Sequence, residues 1–272
     1  MLPLVLQEIV DNVKKQYELP PVEWIDTIPT EEDMAVLQKE ALTENEFDTV
    51  NFRKEMWVAL QRGDAEIMTR ACSYGKVLVI CMKGVDLGIS WATWGRILQG
   101  FGVAGVRICW YANPKKRVLP AKGRAVGPEH VNGGYTIACD LSAVVIYRLE
   151  EATRVLIHEL FHATCTDHDH DPTEIKEAKT ETWAELFLVA YAAKGRAALA
   201  ERLWANQANW IQEVNKALVD SHGVRSLADY SARYTLARVE QLQRSGIEVP
   251  APTRKRTTSS RFTSPKLDMF LD

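Results

Sequence analysis

The pentapeptide His158-Glu159-Leu160-Phe161-His162 sets two imidazoles four residues apart, with a carboxylate beside the first. On an α-helix, residues four apart share a face about one turn apart, so both rings can converge on one ion. Zinc suits such a pair, and it lowers the pKa of a bound water to about 7. Glu159 is placed to take that water's proton as general base. The chemistry expected is hydrolysis of a peptide bond by a zinc-held water that Glu159 activates, and the substrate is a peptide or protein. Five residues recur by chance, and the plain alternative is a helix with two surface histidines. The apolar run Val155-Leu156-Ile157 just before the motif argues for a buried or cleft-lining helix. There, two histidines and a carboxylate need partners, and a metal supplies them.

A third protein ligand is required. Glu177, Glu181 and Glu185 stand four apart on one face of the next expected helix. Two antiparallel helices joined by a short loop would set that face opposite the histidines. A solvated acidic stripe is the competing reading, and Lys176 and Lys179 on the same helix fit it. Against it, Glu181 and Glu185 bracket Trp183 and lead into Leu186-Phe187-Leu188-Val189, where the helix should be buried. Trp183 and Phe187 are expected to anchor it against the active helix. Gly133-Gly134-Tyr135-Thr136-Ile137, just before the active helix, is a candidate edge strand for pairing with an extended substrate, although inner-sheet roles fit as well.

An HExxH motif followed by a glutamate on a downstream helix resembles the gluzincins, the thermolysin-like and aminopeptidase zinc enzymes. Eighteen residues separate His162 from Glu181, a spacing similar to that of the gluzincin aminopeptidases. In that group the ligand glutamate is often followed, four residues on, by an acid that orients the first histidine. Glu177 with Glu181 and Glu181 with Glu185 both fit, so the resemblance implies that Glu181 belongs to the site as ligand or as orienting acid. It also implies a downstream donor for the developing oxyanion. Tyr234, Tyr230 and His222 lie there; Tyr234 is the first choice, and a core tyrosine is the plain alternative. The GxMEN-type segment that grips a free substrate amine in aminopeptidases has no counterpart in this chain.

Two further resemblances bear on the site. Ile146-Tyr147-Arg148-Leu149-Glu150-Glu151 leading into the motif, with Glu181-Thr182-Trp183-Ala184 after it, is similar to HExxH proteins encoded by large DNA viruses and some other viruses. That likeness covers roughly residues 105–240. The run from His158 through His162 to His168 resembles instead the metzincins and the SprT and WLM-type proteases that act on DNA–protein crosslinks, which would make His168 the third ligand. Cys165 stands where that pattern has glycine, at a sharp turn that cysteine does not take readily. Metzincins also need a methionine turn soon after, and Met269 is the only later methionine.

The elements that must carry these residues follow from periodicity and breakers. Residues 1 to about 75 read as helical, with apolar spacing in Val5, Ile9, Val13 and in Met34, Leu37, Leu42, broken at Pro20-Pro21. Strands are predicted over Lys76–Met82, Val106–Tyr111 and Gly134–Asp140, with a helix around Trp91–Leu98 between the first two. A helix is predicted from about Ser142 to about Thr166, a second from Thr173, and others at 198–220 and 226–244. Residues 247–272 turn to Pro, Thr, Ser and Arg and read as a disordered tail. That tail holds the basic cluster Arg254-Lys255-Arg256 and an apolar-acidic end, Leu267 to Asp272, that suits protein docking. The fold class is α+β: a zincin-like catalytic domain over 76–246, with a small sheet and an HExxH helix, preceded by a helical region over 1–75.

Composition narrows the class. A net charge of -3 over 272 residues argues against a nucleic-acid binder working by bulk electrostatics. No apolar run approaches the roughly 18 residues that span a bilayer. The N-terminus lacks a basic region and reads as no secretory signal. Cys72, Cys81, Cys109, Cys139 and Cys165 are scattered, and they read as free thiols of a cytoplasmic protein. A catalytically inert zincin-fold scaffold or virion structural protein is the alternative to an enzyme; intact Glu159 argues against it.

Overall fold

The computed structural model describes residues 2–167, 170–250 and 257–271; His168 and the cluster Arg254-Lys255-Arg256 lie outside the described residues. The chain is α+β with one mixed sheet among the described residues. Its first part runs α1 (Leu4–Glu18), β1 (Ile25–Thr27), α2 (Glu31–Leu42), α3 (Phe52–Gln61), β2 (Ala65–Cys72), β3 (Gly75–Met82), α4 (Trp91–Phe101) and β4 (Val106–Ala112). Then come α5 (Pro128–Val131), β5 (Gly134–Tyr135), β6 (Val144–Ile146), α6 (Ala152–Ala163), α7 (Thr173–Ala192), α8 (Ala197–His222) and α9 (Leu236–Arg244). Two compact units result: Pro20–Lys116 with Asn132–Thr166, and Met1–Leu19 with Arg117–Val131 and Asp167–Asp272.

The first unit is built on a sheet of order β1-β2-β3-β4-β6-β5. Val77-Leu78-Val79-Ile80-Cys81 is buried along its whole length, as expected of a central strand covered on both faces. It pairs antiparallel with β2 and parallel with β4, and the parallel step is made by the crossover helix α4. Ser90 caps that helix by accepting from the Thr93 N–H, and Gly102 ends it at φ 61°. On one side of the sheet α2 and α3 pack Leu37, Met56 and Trp57 onto Leu78, Ile80, Tyr111 and Val145. Thr30 and Asp33 close a capping box at the start of α2. Asp33 also accepts from Lys76 at 2.7 Å, and these partners hold its carboxyl below the usual range even though burial opposes them.

Two sequence expectations change here. The helix expected from Ser142 begins instead as strand β6, because Val144-Val145-Ile146 is β-branched, fully buried and paired in parallel with β4. The helix starts only at Ala152, after Glu151 turns the chain at φ 62°. The strand expected over Gly134–Asp140 stops at Tyr135. Likewise the region 1–75 is not wholly helical: β1 and β2 lie within it, and Ile67 and Thr69 suit a strand.

In the second unit, α7 packs against α1, α8 and α9. Residues 257–271, expected to be disordered, pack against this bundle, with 260–264, Leu267 and Leu271 buried. Phe262, Leu267 and Leu271 are their apolar anchors. Gln207 on α8 donates to the Phe262 carbonyl at 2.8 Å and accepts from the Ser264 N–H at 2.8 Å, while Trp210 donates to the Arg261 carbonyl at 3.1 Å. A Ser/Thr/Pro composition gives no sign of three apolar residues that find a groove. Among the described residues no helix is long and apolar enough to cross a membrane.

The cysteines also depart from expectation. Cys139 and Cys165 form a disulfide, leaving Cys72, Cys81 and Cys109 free. The pairing removes the cysteine argument for a reducing compartment, since the two residues, 26 apart in sequence, are neighbours only in the fold. Burial pushes the Cys109 thiol up to about 12, and it raises Cys81 as well. Alkylation under denaturing, non-reducing conditions should therefore label three cysteines, and five after reduction. In the native state Cys81 and Cys109 should resist. Five labelled cysteines without reductant would contradict the pairing.

Candidate metal centre

Helix α6 is held by its surroundings before any metal is considered. Trp94 on α4 donates through Nε1 to Thr153 Oγ1 at 2.9 Å, and the Phe101 ring meets Phe161 edge-on with centroids 5.0 Å apart. Arg154 lies 3.7 Å from the Glu151 carboxylate at the helix start. His158 and Glu159 are buried and His162 is half-buried. The helical spacing brings His158 Nε2 and His162 Nε2 to 3.1 Å from one another. Two nitrogens on one tetrahedral ion at about 2.0–2.1 Å would stand about 3.3 Å apart, so the rings are already near a bidentate arrangement.

Glu159 points to the sheet edge. A Cβ added to Gly134, on edge strand β5, would lie 3.2 Å from Glu159 Oε1 and 2.5 Å from Val155 Cγ1. Glycine at 134 is what lets the general-base candidate and its helix approach the strand. The candidate edge strand Gly133–Ile137 thus contributes β5, paired antiparallel with β6. Its Tyr135 is fixed by donating to Glu40 at 2.6 Å and by the Arg53 guanidinium, itself 2.9 Å from Asp48.

The end of α6 is fixed too. Cys139 and Cys165 both donate their backbone N–H to the His162 carbonyl, at 2.9 and 3.1 Å, and their side chains are joined. Cys165 takes φ 58°, so the objection that cysteine does not make this turn is overturned. The N–H bond to His162 and the cross-link to Cys139 hold it in the left-handed region.

On α7 the three glutamates part ways. Glu177 offers a carboxylate oxygen that, with one nitrogen each from His158 and His162, forms a set within 4.8 Å of one another. The chemistry of that set, two imidazoles and a carboxylate, fits zinc. Glu181 and Glu185 are instead buried against Arg238 of α9, whose Nη1 lies 3.8 Å from Glu181 and 3.4 Å from Glu185. Gln207 also donates to Glu185. Trp183 does not anchor α7: it is 37% exposed. The buried residues of α7 include Ala178, Thr182, Ala184, Leu186, Leu188 and Val189, and Phe187 is half-buried.

Tyr234 lies between the short 3-10 turn Tyr230–Ala232 and α9, buried with Phe262 stacked on it at 5.8 Å and Tyr230 also 5.8 Å away. Burial pushes its phenol well above the ordinary value; the Glu177 charge and a hydrogen bond with Tyr230 push the same way. The ring sits in an apolar cluster with Val126, Val131, Val214 and Phe262, the core placement that the sequence offers as the plain alternative. His222 lies at the C-terminal end of α8, with Nδ1 3.0 Å from the Arg124 carbonyl. Sequence reasoning missed Arg238 and Phe262, whose relevance depends on tertiary contacts that no spacing encodes. Compared with protein-family models, curated proteins and solved structures, the chain matches none.

The division of labour on α7 predicts that Glu177→Gln lowers zinc content after reconstitution, since two imidazoles alone make a weak site. Glu181→Gln should keep the metal, with affinity reduced about 10–100-fold at most. Elemental analysis of both variants beside His168→Ala checks this. Zinc lost only from the His168 variant would move the third ligand off α7.

Proposed function

We propose that this protein is a zincin-like, zinc-dependent metallopeptidase of gluzincin type, with His158, His162 and Glu177 as ligands and Glu159 as general base. The observation that carries the reading is the meeting of two imidazoles and one carboxylate beside a buried, intact Glu159. A zinc ion held there supplies a Lewis acid and a water of lowered pKa. Glu159 accepts the proton of the attacking water on its carboxylate and can return it to the leaving amine. Edge strand β5 offers backbone groups to an extended peptide, in the way a sheet edge accepts an added strand. Arg238 neutralises the buried Glu181 and Glu185, so Glu181 serves the site by supporting α7 and not as a ligand.

Glu159→Gln should retain zinc and lose about 10²–10⁴-fold in cleavage of a quenched fluorescent peptide library, because the amide cannot accept the proton. Gly134→Ala should lower kcat by about 10–100-fold, since its Cβ would come within 2.5 Å of Val155 Cγ1 and 2.7 Å of the Val145 carbonyl, forcing α6 and the Glu159 it carries away from the strand. Cleavage by Glu159→Gln at the wild-type rate would overturn the mechanism. A zinc-loaded wild-type protein that cleaves nothing would favour a zincin-fold scaffold.

A further inference from the structure

The disulfide is built onto the backbone of a proposed metal ligand. Helix α6 ends in a closed cap, in which the Cys165 N–H donates to the His162 carbonyl and the Thr166 N–H to the Phe161 carbonyl, each at 3.1 Å. These two bonds make a Schellman motif, where the position of Cys165 is usually glycine because the chain takes positive φ there. Cys165 stands at φ 58°. Cys139 is in a like state, at φ 63° in the turn that the Asp140 N–H closes on the Ile137 carbonyl at 3.1 Å. Its own N–H reaches the same His162 carbonyl at 2.9 Å. Two residues that disfavour the left-handed region are thus held in it, and one cross-link ties them together across 26 residues.

Both joined cysteines are exposed, whereas Cys81 and Cys109 are buried. Exposed disulfides are the labile ones, open to attack by a thiolate. The cross-link, His158 and His162 all belong to one compact unit. His162 is the penultimate residue of α6, and its Nε2 lies 3.1 Å from that of His158. Opening the disulfide frees Cys139 and Cys165 to leave the left-handed region, and the His162 carbonyl then loses both donors. The last turn of a helix has the fewest intrahelical partners, so it frays and His162 leaves its register with His158. Thr164 still donates through Oγ1 to the Leu160 carbonyl at 2.7 Å, which confines the loosening to the turn that carries His162.

We propose that Cys139–Cys165 is a thiol–disulfide exchange site that sets the metal affinity of His158 and His162, with the oxidised form the tight one; this rests on the metal-centre reading. The partner is a dithiol reductant. Its thiolate attacks one sulfur of the pair, giving a mixed disulfide and releasing one cysteine thiolate. Its second thiol then displaces the other cysteine and closes the reductant's own disulfide. The dithiol gives up two electrons and two protons, and Cys139 and Cys165 end as thiols.

Zinc affinity of the full-length protein, read by competition with a chromophoric chelator, tests this in both redox states. Reduction with dithiothreitol under argon, followed by removal of the dithiol, should weaken zinc binding about 10–100-fold, as loss of support behind a ligand does. Reoxidation should restore it. Cys139→Ser should bind as weakly as the reduced protein and give no response to dithiothreitol. Cys165→Gly also lacks the cross-link, but glycine takes positive φ freely, so it should hold zinc more tightly than Cys165→Ser. Oxidised and reduced wild type agreeing within about 2-fold, or tighter binding after reduction, would overturn the inference while His162→Ala still stripped the metal. Zinc absent from the oxidised wild type, or held regardless of His162→Ala, would overturn the metal-centre reading and the inference with it.

Discussion

Burial of His158 and Glu159 on helix α6 is the constraint on which the rest of the structure turns. Polar and ionisable side chains inside a protein are expensive unless each finds a partner. The neighbouring residues on α6, Val155, Leu156, Ile157, Leu160 and Phe161, are all buried, so the helix cannot rotate these groups to solvent without exposing its apolar faces. The partners must come to them. A near-converged pair of Nε2 atoms and a carboxylate oxygen within ligand range are what such a helix requires.

The same economy of charge explains the surroundings. Glu181 and Glu185 are nearly inaccessible, and two carboxylates one helical turn apart repel each other in a poorly solvated interior. Arg238, equally inaccessible, answers both. Breaking such a cluster by removing one member costs about 3–5 kcal/mol, because an uncompensated charge stays behind. On the other face of the chemistry, Gly134 gives Glu159 room at the sheet edge, and the backbone N–H groups of Cys139 and Cys165 close the C-terminal end of α6 on the His162 carbonyl. Rigid elements thus hold the reactive groups, while α4 and the sheet hold the elements.

What could be read from the sequence was the local part. HExxH on a helix, the helix from Thr173, the strands at Lys76–Met82 and Val106–Tyr111 and the glutamate series four apart all depend on periodicity within one element. What could not be read depends on contacts distant in the chain. Val144-Val145-Ile146 carries no turn that separates it from the helix after it, and only its place beside β4 makes it a strand. Cys139 and Cys165 look unrelated until the fold brings them together. Phe262 sits in a Ser/Thr-rich stretch whose composition suggests disorder, and its value as an anchor comes from Tyr234 and Arg238 waiting in the bundle. Spacing favours Glu181 over Glu177; in the fold it is Glu177 that joins the histidines, and Glu181 is taken up by Arg238.

The central claim is that His158, His162 and Glu177 hold one zinc ion. Zinc K-edge X-ray absorption on the reconstituted full-length protein tests it most directly. The account predicts one zinc per chain with a nitrogen and oxygen shell at about 2.0–2.2 Å and the outer scattering of two imidazoles. A sulfur shell at about 2.3 Å, drawing the metal to cysteine, or no stoichiometric zinc at all, would contradict it.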